Sequence, residues 1–190
     1  LGNGSSISAV DGGKCNDTSM GFTPLAGVPM GTRSGDIDAA AVEFLCRKKG
    51  MNIHDGLTYL NKKCGMLGVS GVSSDYRDLT AAAKEGNYRA QLALNMFSYA
   101  CKKYVGSYMA ALGGLDVIVF TAGVGENTPH IRASILKDME FFGIEIDEAK
   151  NNYKNDGAIH EISKDSSRVK VLAIPTNEEL VIARETAALL

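Results

Sequence analysis

The chain has 190 residues, 45% of them hydrophobic and 22% charged, with a formal net charge of −2. That length supports one buried core and falls short of two ordinary domains, and the composition excludes a disordered chain. Both signs of charge are interspersed, so there is no basic stripe for nucleic acid, and apolar runs such as Val117–Phe120 and Val169–Ile174 fall far short of a bilayer span.

From the amino-terminal end, Gly2-Asn3-Gly4-Ser5-Ser6 reads as a glycine-rich turn. Such a turn needs a strand on each side, which predicts that the 190 residues are part of something longer. Ile7–Val10 alternates, Asp11-Gly12-Gly13 is a turn signal, and Lys14–Thr18 returns as the second strand of a hairpin. Met20–Gly35, with Pro24 and Pro29, reads as an ordered loop. Asp36 or Asp38 caps a helix to about Lys49, ended by Gly50, with Val42, Leu45 and Cys46 on one face. A short helix near His54–Cys64 stops at Gly65, Gly65–Ser74 is a glycine- and serine-rich connection, and Ser74-Asp75 caps a helix through about Lys84. A long helix from Tyr88 to Leu112 carries Leu92, Met96, Tyr99, Lys103 and Ala110 at helical spacing, read as a core-facing stripe.

After Gly113-Gly114, Asp116–Phe120 is a β-branched apolar run, as expected of a strand buried on both faces. Thr121–Asn127 reads as a turn, Pro129 opens a helix through about Met139, and a further helix lies near Glu148–Tyr153. An edge strand near Ala158–Ile162, a buried strand Val169–Ile174 and a closing helix after Thr176-Asn177 complete an α/β pattern of helices packed on a sheet. Cys15, Cys46, Cys64 and Cys101 are widely spaced and without metal-site patterns, which predicts buried or half-buried free thiols and a reducing cytoplasm; no charged-then-apolar leader predicts export.

Three polar turns sit at predicted strand ends, where α/β sheets dock ligands: Gly2–Ser6, Gly123–Asn127 and Thr176–Glu178. The first offers successive N–H groups, with positive φ at its glycines, to an anionic oxygen, although Asn-Gly is equally a hairpin signal. Gly123-Val124-Gly125-Glu126-Asn127 lies where a dinucleotide fingerprint belongs, but Thr128 stands at the third glycine position and Pro129 follows, which disfavours a nicotinamide-dependent oxidoreductase. There is no Walker-type lysine motif. Arg33, in a glycine-flanked loop, suits a phosphoryl group in flight or a structural pairing with Asp36 or Asp38, and the same choice applies to Asp75 and Arg77. Glu178 and Glu179 open the last helix, where either serves its dipole or holds Mg²⁺. His54, His130 and His160 stand apart from carboxylate clusters, and Ser70 misses the nucleophile-elbow spacing.

Taken in order, Leu1–Ser6, Asp17–Leu25, Met30–Asp38, Ser73–Arg77, Phe120–Asn127 and Pro175–Glu179 resemble the acetate kinase family, and propionate kinases share nearly all of these segments. The resemblance spans essentially the whole chain. It implies the nucleotide-binding, carboxy-terminal domain (residues 1–190) of a two-domain, homodimeric cytoplasmic kinase. The implied fold is ribonuclease-H-like, that of the actin, Hsp70 and hexokinase superfamily, with a mixed sheet and flanking helices. The implied cofactors are ATP or ADP and Mg²⁺, and the acceptor is acetate. By the same resemblance Gly2, Asn3 and Gly4 meet the nucleotide phosphates, and Asp75, Tyr76 and Arg77 contact the nucleoside. Gly123, Val124, Gly125, Glu126 and Asn127 form the adenosine loop, Arg33 stabilises the transferring phosphoryl group, and Glu178 is associated with magnesium. The catalytic aspartate and the acetate-side arginine belong to the other, amino-terminal domain, so the expectation for this chain alone is weak nucleotide binding without useful kinase activity.

Overall fold

The computed structural model describes residues 1–189 and, at Glu178, the backbone alone. A hairpin of β1 (Ser8–Asp11) and β2 (Lys14–Thr18) opens the chain, antiparallel and with a register irregularity between Ala9 and Val10. Helices α1 (Ala39–Lys49), α2 (Ile53–Lys62), α3 (Gly65–Ser70), α4 (Tyr76–Lys84) and α5 (Tyr88–Leu112) follow. Then come β3 (Val117–Phe120), α6 (Ala122–Asn127), α7 (Pro129–Leu136), a single 3₁₀ turn at Glu140–Phe142 and α8 (Glu148–Asn151). The strands β4 (His160–Glu161) and β5 (Lys170–Ala173) precede α9 (Glu178–Ala187). β5 is the centre of a three-stranded mixed sheet, parallel to β3 and antiparallel to β4.

Local signals account for most helix ends. Asp38, Asn52, Asp75 and Asn87 each accept a backbone N–H in the first turn of α1, α2, α4 and α5, and Gly50 and Gly113 end α1 and α5 in the left-handed conformation that only glycine adopts without strain. In α1, Val42, Leu45 and Cys46 are the half-buried face, and none of its residues is fully buried.

Five expectations are corrected here. Gly65–Ser70 is a helix, because its first amides find carbonyls far away in sequence: Met66 N–H donates to Met30 (2.8 Å) and Leu67 N–H to Gly31 (2.9 Å). Ala122–Asn127 is likewise a short helix and not an open turn. The stripe assigned to the core of α5 faces outward, with Leu92 41% and Tyr99 65% exposed, while Ala90, Ala93, Leu94, Phe97, Ser98 and Cys101 face inward. Strand β3 is covered on one face only, since Val117 and Val119 are 41% and 49% exposed. All four cysteines are free thiols, Cys101 buried and Cys46 and Cys64 half-buried as expected, but Cys15 is exposed, contrary to expectation, because every residue of β2 is exposed.

The inward face of α5 is the axis of the core. Leu79 of α4, Ile131 and Ile135 of α7, and Val169 and Val171 of the β5 region join it with Phe97 at its middle. β1 also touches α5. An apolar cavity of about 370 Å³ separates β1 from β3, bordered by both strands and floored by Cys101, Val105 and Met109 of α5. Neither strand has a partner on that side among the described residues. No described helix is long and apolar enough to cross a membrane.

Candidate active site

The first bend, Gly2–Ser6, is held from within by the Ser5 hydroxyl, which donates to Gly2 O (3.0 Å). Its outer anchor is Gly31, whose N–H donates to Asn3 O (2.9 Å). A side chain at Gly31 would come 1.9 Å from Asn3 Oδ1 and 3.1 Å from Ser74 O, so it would displace the Asn3 side chain from its present place. With Gly2 N–H turned inward to Gly4 O, the amides of Asn3, Gly4, Ser5 and Ser6 donate to no group among the described residues. Four successive uncommitted N–H groups suit an anion. Neither Gly2 nor Gly4 has positive φ, contrary to expectation, so this run of free amides comes from a bend other than the left-handed one predicted.

The second segment starts where α3 hands the chain to α4. Asp75 caps α4 by accepting from Arg77 N–H, and the Arg77 guanidinium grips the same carboxylate at 2.6 Å, holding Asp75 at a pKa of about 2. Tyr76 is 4% exposed, packs edge-on against Phe97 at 4.9 Å, and has a buried hydroxyl without a partner among the described residues.

The third segment is α6. It is entered through Ala122 at φ 62°, a non-glycine residue in left-handed backbone, and its first amides, from Val124 and Gly125, donate to Leu1 O at 2.8 and 2.9 Å. Those amides are spent on the chain itself. What α6 offers outward is the bare backbone of Gly123, where an added Cβ would meet nothing within 4 Å, and the side chain of Asn127, oriented by Gly123 O and by Asn155.

These three segments enclose one cleft of about 530 Å³, with Gly2 and Asn3 on one wall, Ser74–Arg77 on a second and Gly123, Val124, Asn127 and Thr128 on a third. Such a volume suits a small-molecule ligand. Gly4, which is exposed, and Gly125 and Glu126 do not line the cleft. Glu126 turns away to accept from Thr176 N–H (3.0 Å) and so ties the turn after β5 to α6. Arg33 is half-buried beside the first bend, its Nη1 3.4 Å from Met30 Sδ and 3.9 Å from where a Cβ on Gly4 would stand. The alternative pairing is absent: Asp36 accepts from Gly27 N–H and Tyr104 hydroxyl, and Asp38 caps α1. The side chain of Glu178 lies outside the described residues, and no three His, Cys, Asp or Glu side chains among the described residues converge as a metal cage. Sequence reasoning missed Ser74 and Thr128 as wall residues, although one was read as a cap and the other as a missing glycine.

A sequence profile described as the acetokinase family matches residues 1–184. The chain belongs to the acetokinase family. It is 57% identical over 190 residues to an acetate kinase of Caldicellulosiruptor saccharolyticus, covering 100% of this chain and 48% of that one. Its fold superposes on an acetate kinase of Porphyromonas gingivalis with a TM-score of 0.94 and 49% identity, covering 99% and 47% of the two chains. A propionate kinase of Francisella tularensis gives a TM-score of 0.89 and 42% identity, covering 97% and 47%. This acetokinase-family chain spans about half the length of the curated relatives it matches.

Proposed function

We propose that this chain is the carboxy-terminal, nucleotide-binding half of an acetate kinase, which transfers a phosphoryl group reversibly between ATP and acetate. Residues 1–190 then form one domain of the ribonuclease-H-like superfamily, paired with an amino-terminal domain and assembled as a cytoplasmic homodimer. The observation that carries the reading is the convergence of three segments, far apart in sequence, on one cleft whose first wall, Gly2 and Asn3, begins a run of uncommitted amides.

In this reading the bend of Gly2, Asn3 and Gly4 meets the phosphates, the uncommitted amides of Asn3 and Gly4 holding their oxygens. Asp75, Tyr76 and Arg77 flank the nucleoside, and the bare backbone at Gly123 lets the adenosine lie flat along α6 between Val124 and Asn127, with Gly125 and Glu126 supporting that helix from behind. Arg33 neutralises charge on the group in flight, because a planar guanidinium bonds two equatorial oxygens at once. Mg²⁺ needs few protein carboxylates beside water and phosphate oxygens, and Glu178, which opens α9 after the turn tied to α6, is the residue that would hold it; bound there it would offset phosphate charge. Acceptor and donor must be clamped from both sides for in-line transfer, so the chain alone turns over no acetate.

Calorimetric titration of the chain with ADP, ATP and NAD is the test. Binding of the adenine nucleotides without NAD is expected, and NAD preference would sink the reading. Because a propionate kinase shares the fold closely, propionate is the competing acceptor. Activity of the complete two-domain protein on each acid decides between them. In that protein Arg33→Ala should remove about 3–4 kcal/mol of transition-state stabilisation, comparable to losing a preorganised oxyanion donor.

A further inference from the structure

Arg132, on α7, is 1% exposed, and no carboxylate pairs with it among the described residues. A buried cation of this kind is tolerated only when its nitrogens find acceptors, and here each of the three does. Nη1 donates to Gly125 O (2.7 Å) and Glu126 O (2.8 Å), Nε to Asn151 Oδ1 (2.8 Å) and Nη2 to Asn151 O (2.6 Å). The guanidinium lies 5.0 Å from the ring centre of Tyr153, whose hydroxyl also donates to Glu126 O (2.5 Å). Asn151 completes the hub by donating to Pro129 O (2.9 Å).

The two carbonyls that Arg132 engages are at the carboxy-terminal end of α6, where helical carbonyls have no partners of their own. A helix of six residues is marginal by itself, and this one begins at the strained Ala122. We infer that Arg132, fixed by Asn151 and Tyr153, is a positioning residue that holds α6 against the cleft and thereby sets the adenosine-side wall formed by Gly123, Val124 and Asn127. It touches no part of the cleft itself and acts wholly through backbone. This rests on the nucleotide reading above.

Nitrogen-15-labelled chain titrated with adenosine and with ADP, followed through backbone amide shifts, tests the inference and tolerates weak affinity. Arg132→Lys keeps the charge and cannot span both carbonyls and Asn151, so its Kd should rise about tenfold for adenosine and ADP alike. Tyr153→Phe, which deletes a single hydrogen bond, should raise both about threefold. A purely structural role would lower the thermal midpoint and leave the Kd of the folded protein unchanged at low temperature. Wild-type Kd in a folded Arg132→Lys chain, or in Tyr153→Phe if the lysine variant does not fold, overturns the inference. Loss confined to ADP overturns it too, because the wall in question meets adenosine. If the unaltered chain binds neither ligand, the nucleotide reading itself has failed and takes this inference with it.

Discussion

Gly65 joins α2 to α3 at φ 58°, pressed against the loop that presents Arg33. In Gly65→Ala the new Cβ would stand 2.1 Å from Met30 O and 2.4 Å from Arg33 O, where carbon and oxygen ordinarily come no nearer than about 3.3 Å. Both obstacles are backbone, so the Met30–Arg33 loop has to retreat by roughly 1 Å. Retreat weakens the bonds from Met66 N–H, Leu67 N–H and Cys64 N–H to Met30, Gly31 and Thr32, at about 1 kcal/mol each, and the left-handed backbone costs a side chain about 1 kcal/mol more. The expected loss is about 3–5 kcal/mol, a large part of the roughly 5–15 kcal/mol that holds a domain folded. Gly50→Ala is the control: its φ is 65°, nothing lies within 4 Å of the new Cβ, and only the conformational cost of about 1 kcal/mol applies. Urea unfolding of both variants measures the difference. Equal losses would refute the argument that close packing against the Met30–Arg33 loop requires glycine at position 65.

Ala122→Gly relieves left-handed backbone in place, and urea unfolding should show a gain of about 0.5–1 kcal/mol; a loss would mean that the methyl group matters more than the strain. Tyr76→Phe removes a buried hydroxyl that lacks a partner and should leave the unfolding midpoint unchanged or raised, whereas a marked drop would reveal a bond that the structure lacks. Asp75 has a folded pKa of about 2 against 3.8 when free, so its contribution to stability is present above pH 3.8 and disappears as pH falls towards 2. Carboxyl NMR titration should show that pKa rising in Arg77→Ala, and no movement would remove the ion pair as its cause.

Where an element's ends are written in its own residues, the sequence sufficed. The caps Asp38, Asp75 and Asn87 and the stops Gly50 and Gly113 bound α1, α4 and α5 close to the expected places. Of the segments that meet at the cleft, the position of each could be picked out from its glycines, but not its conformation: Gly123–Asn127 is helical and the Gly2–Ser6 bend lacks positive φ. What escaped was decided by distant partners. α3 and α6 are glycine-bearing and poor helices in isolation; α3 is completed by loop carbonyls near Met30, and α6 by Leu1 O at one end and Arg132 at the other. The face of α5 was inverted because apolar residues lie on both sides. Ala90 and Ala93, small enough for close approach, mark the packed side better than Leu92 and Tyr99 do. Reading Ser74 as a cap likewise gave no sign that it lines the cleft, since that depends on the distant loop at Gly31, to which its carbonyl lies close.

The trough between β1 and β3 has a chemical appetite of its own. Among the described residues neither β1 nor β3 pairs with another strand on the side facing it, above an apolar helical floor, so an extended peptide laid into it would gain main-chain bonds and bury alternate side chains below. Concentrated preparations of these 190 residues should therefore stick to one another, and a short β-forming tail tethered next to Leu1 should suppress that stickiness by filling the vacancy in cis.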